Sequence, residues 1–121
     1  MAIINFSIEG DDISIIATVG DKEVGYAFLE RIQFPSGNMD YSYILENIDV
    51  IEGYQKSGIG SEMLSEAFDT YENILIPRLE WLKRNGKNKY CYTDDGAAFM
   101  ESCLANGTVR EHHFAPATLF G

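Results

Sequence analysis

Val50-Ile51-Glu52-Gly53-Tyr54-Gln55-Lys56-Ser57-Gly58-Ile59-Gly60-Ser61 decides how this chain is read. Ahead of it, Tyr41–Ile51 alternates Tyr41, Tyr43 and Leu45 against Ser42, Glu46 and Asn47, the period of a strand. The alternation slips near Ile48, which reads as a bulge splaying this strand from its neighbour. Behind it, Ile59, Met63, Leu64, Ala67, Phe68 and Tyr71 fall at helical spacing with one apolar stripe. A glycine-bearing turn from strand to helix offers successive backbone N–H groups, backed by the positive helix end, to an anion. Gly58 and Gly60 remove side chains where a phosphate would approach, and Lys56 adds a positive charge. Two phosphate loops are excluded. Gly53 and Gly58 are followed by Ile59-Gly60 rather than the Lys-Ser/Thr of a Walker loop, and Gly58-Ile59-Gly60 lacks the third glycine of a dinucleotide fingerprint.

Working outward, the chain before the turn reads as strands. Ile3–Ile8, Ile13–Val19 and Val24–Phe34 are rich in β-branched and aromatic residues, with turn signals at Gly10-Asp11-Asp12 and Gly20-Asp21. Links this short make consecutive strands antiparallel. Beyond the helix, Ile74, Leu75, Leu79 and Leu82 continue its rhythm through Pro77, predicting either a kinked helix or a second helix closing at Gly86. Asn88–Thr93 reads as a fifth strand and Gly96–Ala105 as a short helix, N-capped by Asp94 or Asp95 and stopped by Asn106-Gly107. Thr108–Phe114 reads as a last strand before a tail at Pro116.

Composition narrows the function. With 121 residues, 45% hydrophobic and 23% charged, the chain is expected to be one domain, 1–121, with neither a disordered nor a collagen-like character. No apolar run reaches bilayer length, and the first dozen residues carry no secretion-signal pattern. Cys91 and Cys103 are too few for a disulfide framework, so they are expected as reduced thiols in a cytoplasmic protein. The net charge is −10, and residues 1–52 hold ten acidic and two basic groups, a balance of −8. That excludes the usual footprint of a nucleic-acid binder. It suits a basic partner, although solubility alone accounts for it equally well.

The central stretch resembles the signature of the GNAT family of N-acetyltransferases, (Q/R)-x-x-G-x-(G/A), filled here by Gln55, Gly58 and Gly60. Val50 stands at the distance of the family's strand valine, and Met63-Leu64 continue the helix as its leucines do. The resemblance spans residues 13–107 and is detailed over 44–68. It implies an α/β (α+β) fold: a mixed, mostly antiparallel central sheet flanked by helices. It also implies acetyl-CoA as cosubstrate, its pyrophosphate on the loop amides and its pantetheine arm on the open edge of the fourth strand. Val50, Ile51, Gln55, Lys56, Ser57, Gly58, Ile59, Gly60 and Ser61 then form the cofactor-binding set. On this reading, Gly60→Asp abolishes coenzyme binding by placing a carboxylate where the pyrophosphate lies. The chain departs from the family in two places. Only Gly10-Asp11-Asp12 stands where the family has its first two helices, and Asn73–Asn85 is an extra stretch, a candidate replacement for the missing acceptor wall.

Acetyl transfer to an amine needs a base for the amine proton and a donor for the departing thiolate. The resemblance points to Glu46 as base, with a solvated strand residue as the simpler alternative. No tyrosine fills the family's general-acid position. Cys103 falls at one register of that position, a packing role being the commoner fate of a buried thiol, and Tyr92 is a substitute on the preceding strand. His112-His113 would face opposite ways on a strand, so no metal site is expected. The expected acceptor is a protein lysine, a polyamine or another small amine, with no nucleic acid or membrane and homodimer formation left open. The alternative is an inactive domain of the same fold whose acidic surface binds a basic protein. A third reading makes Gly58-Ile59-Gly60 only a helix-entry turn.

Overall fold

The computed structural model describes residues 2–33, 41–55, 58–79 and 94–116. Strands β1 (Ile3–Glu9), β2 (Asp12–Val19), β3 (Lys22–Gln33) and β4 (Tyr41–Val50) form an antiparallel meander. Gly10-Asp11 and Gly20-Asp21 close the first two hairpins as two-residue loops. Helix α1 (Ile59–Thr70) follows β4, and a two-residue strand β5 (Ile74–Leu75) then lies parallel to β4, giving a five-stranded mixed sheet in sequence order. Helix α2 (Asp94–Ala105) and a 3-10 turn (Glu111–His113) complete an α+β architecture.

Two bulges set which side chains face the helices. Opposite Phe28 and Leu29 of β3 stand Asn47 and Leu45 of β4, so Glu46 is the extra residue. The slip expected near Ile48 therefore lies at Glu46. It restores the apolar row: Tyr43 and Leu45 before the bulge, Ile48 and Val50 after it, all pack against one core. A second shift, at Ala17/Thr18, leaves Val24 as the extra residue of β3.

That core joins Ile13, Ile15 and Ala17 of β2, Ala27 and Leu29 of β3 and Leu45 of β4 to Ile59, Met63, Leu64 and Ala67 of α1 and Met100 and Cys103 of α2. A twelve-residue helix is marginal in water alone, whereas each large side chain buried here contributes about 1.5–3 kcal/mol. Tertiary burial, not propensity, therefore holds α1 in place. Both helices feed this one cluster, on one face of the sheet.

The helix does not run on toward Pro77. Tyr71 takes an extended backbone (φ −125°, ψ 132°), and its N–H makes the last helical bond to Ala67 O, at 2.9 Å. Its ring then sits edge-on to Phe6 (5.7 Å between centroids) and tilted on Tyr43 (5.8 Å). Two residues later, Asn73 O accepts the Tyr43 N–H at 2.7 Å and draws the chain alongside β4. Aromatic packing and strand pairing thus replace the kinked or second helix expected over Ile74–Leu82, as far as Leu79, where this part of the described chain ends.

The expected last strand is likewise reduced to one parallel bridge, Ile76 with Phe114, held by Ile76 N–H to His113 O (2.8 Å) and Ala115 N–H to Ile76 O (2.9 Å). The residues before Phe114 form the 3-10 turn instead. Helix α2 stops at Asn106-Gly107 as its sequence predicts, with Val109 N–H closing back on Cys103 O at 3.1 Å. Asp94 and Asp95 lie inside its first turn rather than before it. The strand expected over Asn88–Thr93 lies outside the described residues. No helix among the described residues is long and apolar enough to cross a membrane.

Candidate functional site

After β4 the chain turns tightly over residues 52–55. Tyr54 N–H donates to Ile51 O at 3.1 Å, and Ile51 N–H donates to Val24 O at 2.9 Å, tying the turn to β3. Gln55 Nε2 reaches back to the Val50 carbonyl at 2.9 Å. The motif glutamine thus closes the turn on its own strand end while remaining exposed. Gly58 is the N-cap of α1 with φ +87°, a left-handed conformation that L side chains enter at a cost of about 1–2 kcal/mol. Among the described residues no side chain caps the helix there, and its first intrahelical bond is Glu62 N–H to Gly58 O. The N–H groups of the first turn therefore have no helical acceptor, and the positive end of α1 faces the turn. Lys56 and Ser57 lie outside the described residues.

The hairpin between β2 and β3 adds a cation that local sequence reading does not reveal. Lys22 Nζ lies 5.6 Å from the centroid of the Tyr54 ring, within cation–π range, beside the turn. Twenty-eight or more residues separate it from every member of the motif, so only the fold brings it there.

Gly60 and Ser61 have roles on the other side of the turn. A Cβ on Gly60 would stand 2.7 Å from Phe99 Cε1 and 2.8 Å from Cζ, so the missing side chain lets the Phe99 ring of α2 close on α1. This packing, rather than phosphate approach alone, demands glycine, and it makes Gly60→Asp an ambiguous test of the coenzyme site. Ser61 Oγ lies 3.5 Å from Cys103 Sγ across the same helix pair. Cys103 is fully buried; burial pushes its thiol up from the ordinary value, opposed by the Ser61 contact. A thiol so enclosed stays protonated and packs the core. Ile59 is buried, Val50 half-buried and Ile51 exposed.

Glu46, the bulge residue of β4, is half-buried. It lies where β4 and β5 part: β5 pairs only with Tyr43 and Ile44, and its next residue, Ile76, bridges to Phe114. From Leu45 to Val50, β4 has no strand partner on that side among the described residues. Tyr92 lies outside them.

At the opposite ends of β4 and α1 is a cleft of about 400 Å³, lined among others by Ser42, Phe68, Tyr71, Glu72, Asn73 and His113. His113 stacks on Phe68 (3.9 Å between centroids, 4° between planes), and its Nδ1 accepts the Arg110 N–H at 2.9 Å. A neutral ring in that arrangement carries its proton on Nε2. Burial, then the charges of His112 and Arg110, lower its pKa from the ordinary value. The two histidines share a 3-10 turn with rings 4.2 Å apart, so the opposite-faces argument of a strand does not apply to them. Among the described residues no three His, Cys, Asp or Glu side chains group to hold a metal.

His113 gives a signed pH prediction. The unfolded chain protonates this ring near the ordinary value of about 6.5, before the folded chain does. The stability due to the neutral ring is thus complete above that pH and declines as pH falls toward the lower folded value. His113→Phe keeps the stack and removes the Nδ1 acceptor. Urea melts between pH 8 and 5 should show a steeper loss of stability for the wild type than for this variant; parallel slopes would overturn the assignment.

Compared with models of known protein families and with curated proteins, the chain matches none.

Proposed function

We propose that this chain binds acetyl-CoA at the β4–α1 turn and transfers the acetyl group to an amine. One observation carries the reading: a helix N-terminus capped by Gly58, with no side-chain cap among the described residues, follows a strand whose parallel neighbour departs after Ile44. A pyrophosphate fits the first, through backbone N–H groups and the helix end. An extended amide-bearing arm fits the second, because an unpaired strand edge offers alternating donors and acceptors. Gln55 fixes the turn through the Val50 carbonyl, and Lys22 adds positive charge beside it.

Glu46 is the base in this reading. The amine nitrogen forms the amide bond as the thioester C–S bond breaks; the amine proton goes to the Glu46 carboxylate, directly or through water, and the thiolate takes up a proton. Cys103 is not the donor, because its thiol is buried in the core against Ser61. The excess of acidic groups in residues 1–52 favours a cationic acceptor, a polyamine or a lysine-bearing protein.

Calorimetric titration with acetyl-CoA, using pantetheine without the phosphates as control, tests the binding step. Heat that requires the pyrophosphate supports the proposal, and no heat with either ligand ends it. Thiol release in the presence of spermidine or a lysine peptide then separates a transferase from a domain that binds the coenzyme without turnover.

A further inference from the structure

The sheet has a second face that neither helix covers, and its side chains follow from the register. One cross-strand row reads Asn5, Ile16, Tyr26, Asp49, and the next reads Ser7, Ser14, Phe28, Asn47. Glu9 and Asp12 lie at one end of the same face, Glu9 accepting the Ser14 hydroxyl at 3.0 Å. Tyr26, on the middle strand, is 38% exposed beside half-buried Ile16 and Phe28, and Ile3 is 60% exposed at the start of the edge strand, so aromatic and aliphatic surface is open on this face.

No described residue on these rows is basic. The described cations lie elsewhere: Lys22 over Tyr54, Arg31 on Asp11 at 3.1 Å, Arg78 on the Ala115 carbonyl at 3.2 Å, and Arg110 at the start of the 3-10 turn. Tyr26 sits directly opposite Asp49 in the ladder. An exposed ring beside a carboxylate offers a cation both a π face and a counter-charge. In a chain of net charge −10, a second copy brings the same negative face and is repelled, whereas a lysine- or arginine-rich segment is attracted.

We propose that this face, centred on Tyr26 and Asp49, docks a basic polypeptide segment whose cationic side chains alternate with apolar ones. The apolar side chains lie on Ile16 and Phe28, and a cation lies over Tyr26 against Asp49. The proposal does not depend on coenzyme binding, since the face involves no residue of the β4–α1 turn.

The probe is a fluorescein-labelled peptide of alternating lysine and valine, titrated with the full chain at physiological salt and read by fluorescence anisotropy. Asp49→Lys and Tyr26→Ser should each weaken binding about tenfold, and Tyr26→Phe, which keeps the π face, should stay within about twofold of the wild type. Glu66→Lys makes the same charge change at an exposed position of α1 and should also stay within about twofold. Three results overturn the proposal. They are no binding by the wild type, equal weakening by Glu66→Lys and Asp49→Lys, and a wild-type dimer in sedimentation that Tyr26→Ser dissociates. Native circular dichroism of each variant confirms that a loss is not unfolding.

Discussion

Gly58→Asp is expected to lower acetyl-CoA affinity about 30-fold or more while leaving the protein folded. The two effects separate because of where Gly58 lies. It is exposed, a Cβ there meets nothing within 4 Å, and its φ of +87° falls where aspartate is better tolerated than most residues. The left-handed backbone costs about 1–2 kcal/mol, and a carboxylate at the helix N-terminus returns about 0.3–1 kcal/mol. The melting temperature therefore moves by a few degrees. A pyrophosphate brought to the same N–H groups meets a like charge, and about 2 kcal/mol of repulsion is a factor of about 30. Calorimetry at low and high salt checks both the loss and its electrostatic origin. Unchanged affinity in a folded variant would remove the turn from the coenzyme site.

Gly60→Asp, two residues on, should instead strip away much of the protein's stability. The new Cβ collides with a ring held between two helices, and overpacking of this kind costs about 1–3 kcal/mol. Its carboxylate faces the Phe99 ring, where an unpaired charge adds several kcal/mol. A total near 4 kcal/mol is a large share of the ~5–15 kcal/mol that holds an ordinary domain together. Gly60→Ala carries only the collision, at about 1–2 kcal/mol. In a Phe99→Ala background the collision is gone and alanine's helix preference remains, so the same substitution should become neutral or stabilising. Urea melts of the four proteins form the cycle; additivity would show that Phe99 is not what Gly60 accommodates.

The contrast between these neighbouring glycines shows what the sequence reveals and what it withholds. Strand period and turn residues are local, so β1 to β4, the start of α1 and the end of α2 could all be read from the chain. The departure of β5 from a helical pattern could not. Ile74, Leu75 and Leu79 keep helical spacing, and the strand identity of Ile74 and Leu75 comes from Tyr43, about thirty residues earlier, through Asn73 and the Tyr71 ring. The bulge was legible as a break in alternation but not as Glu46, because its place depends on what β3 sets opposite. The segment before Phe114 has strand-like composition, yet Arg110 finds a bond to His113 Nδ1 that a strand would forgo. Within the candidate site, the turn and its glycines were readable, while the Phe99 contact of Gly60 and the approach of Lys22 are tertiary facts.

The enclosure of Cys103 against Ser61 supplies the protein with its own stopwatch. A buried thiol reacts with Ellman's reagent only when α2 lifts away from α1, so its labelling rate counts those openings. Once Cys91 is replaced by serine, Cys103 is the sole thiol left to report. Because the same helix pair is clamped by Phe99 on Gly60, any ligand that tightens the start of α1 should slow the count. The chain thus carries, without an added label, a readout of how firmly its candidate binding turn is held.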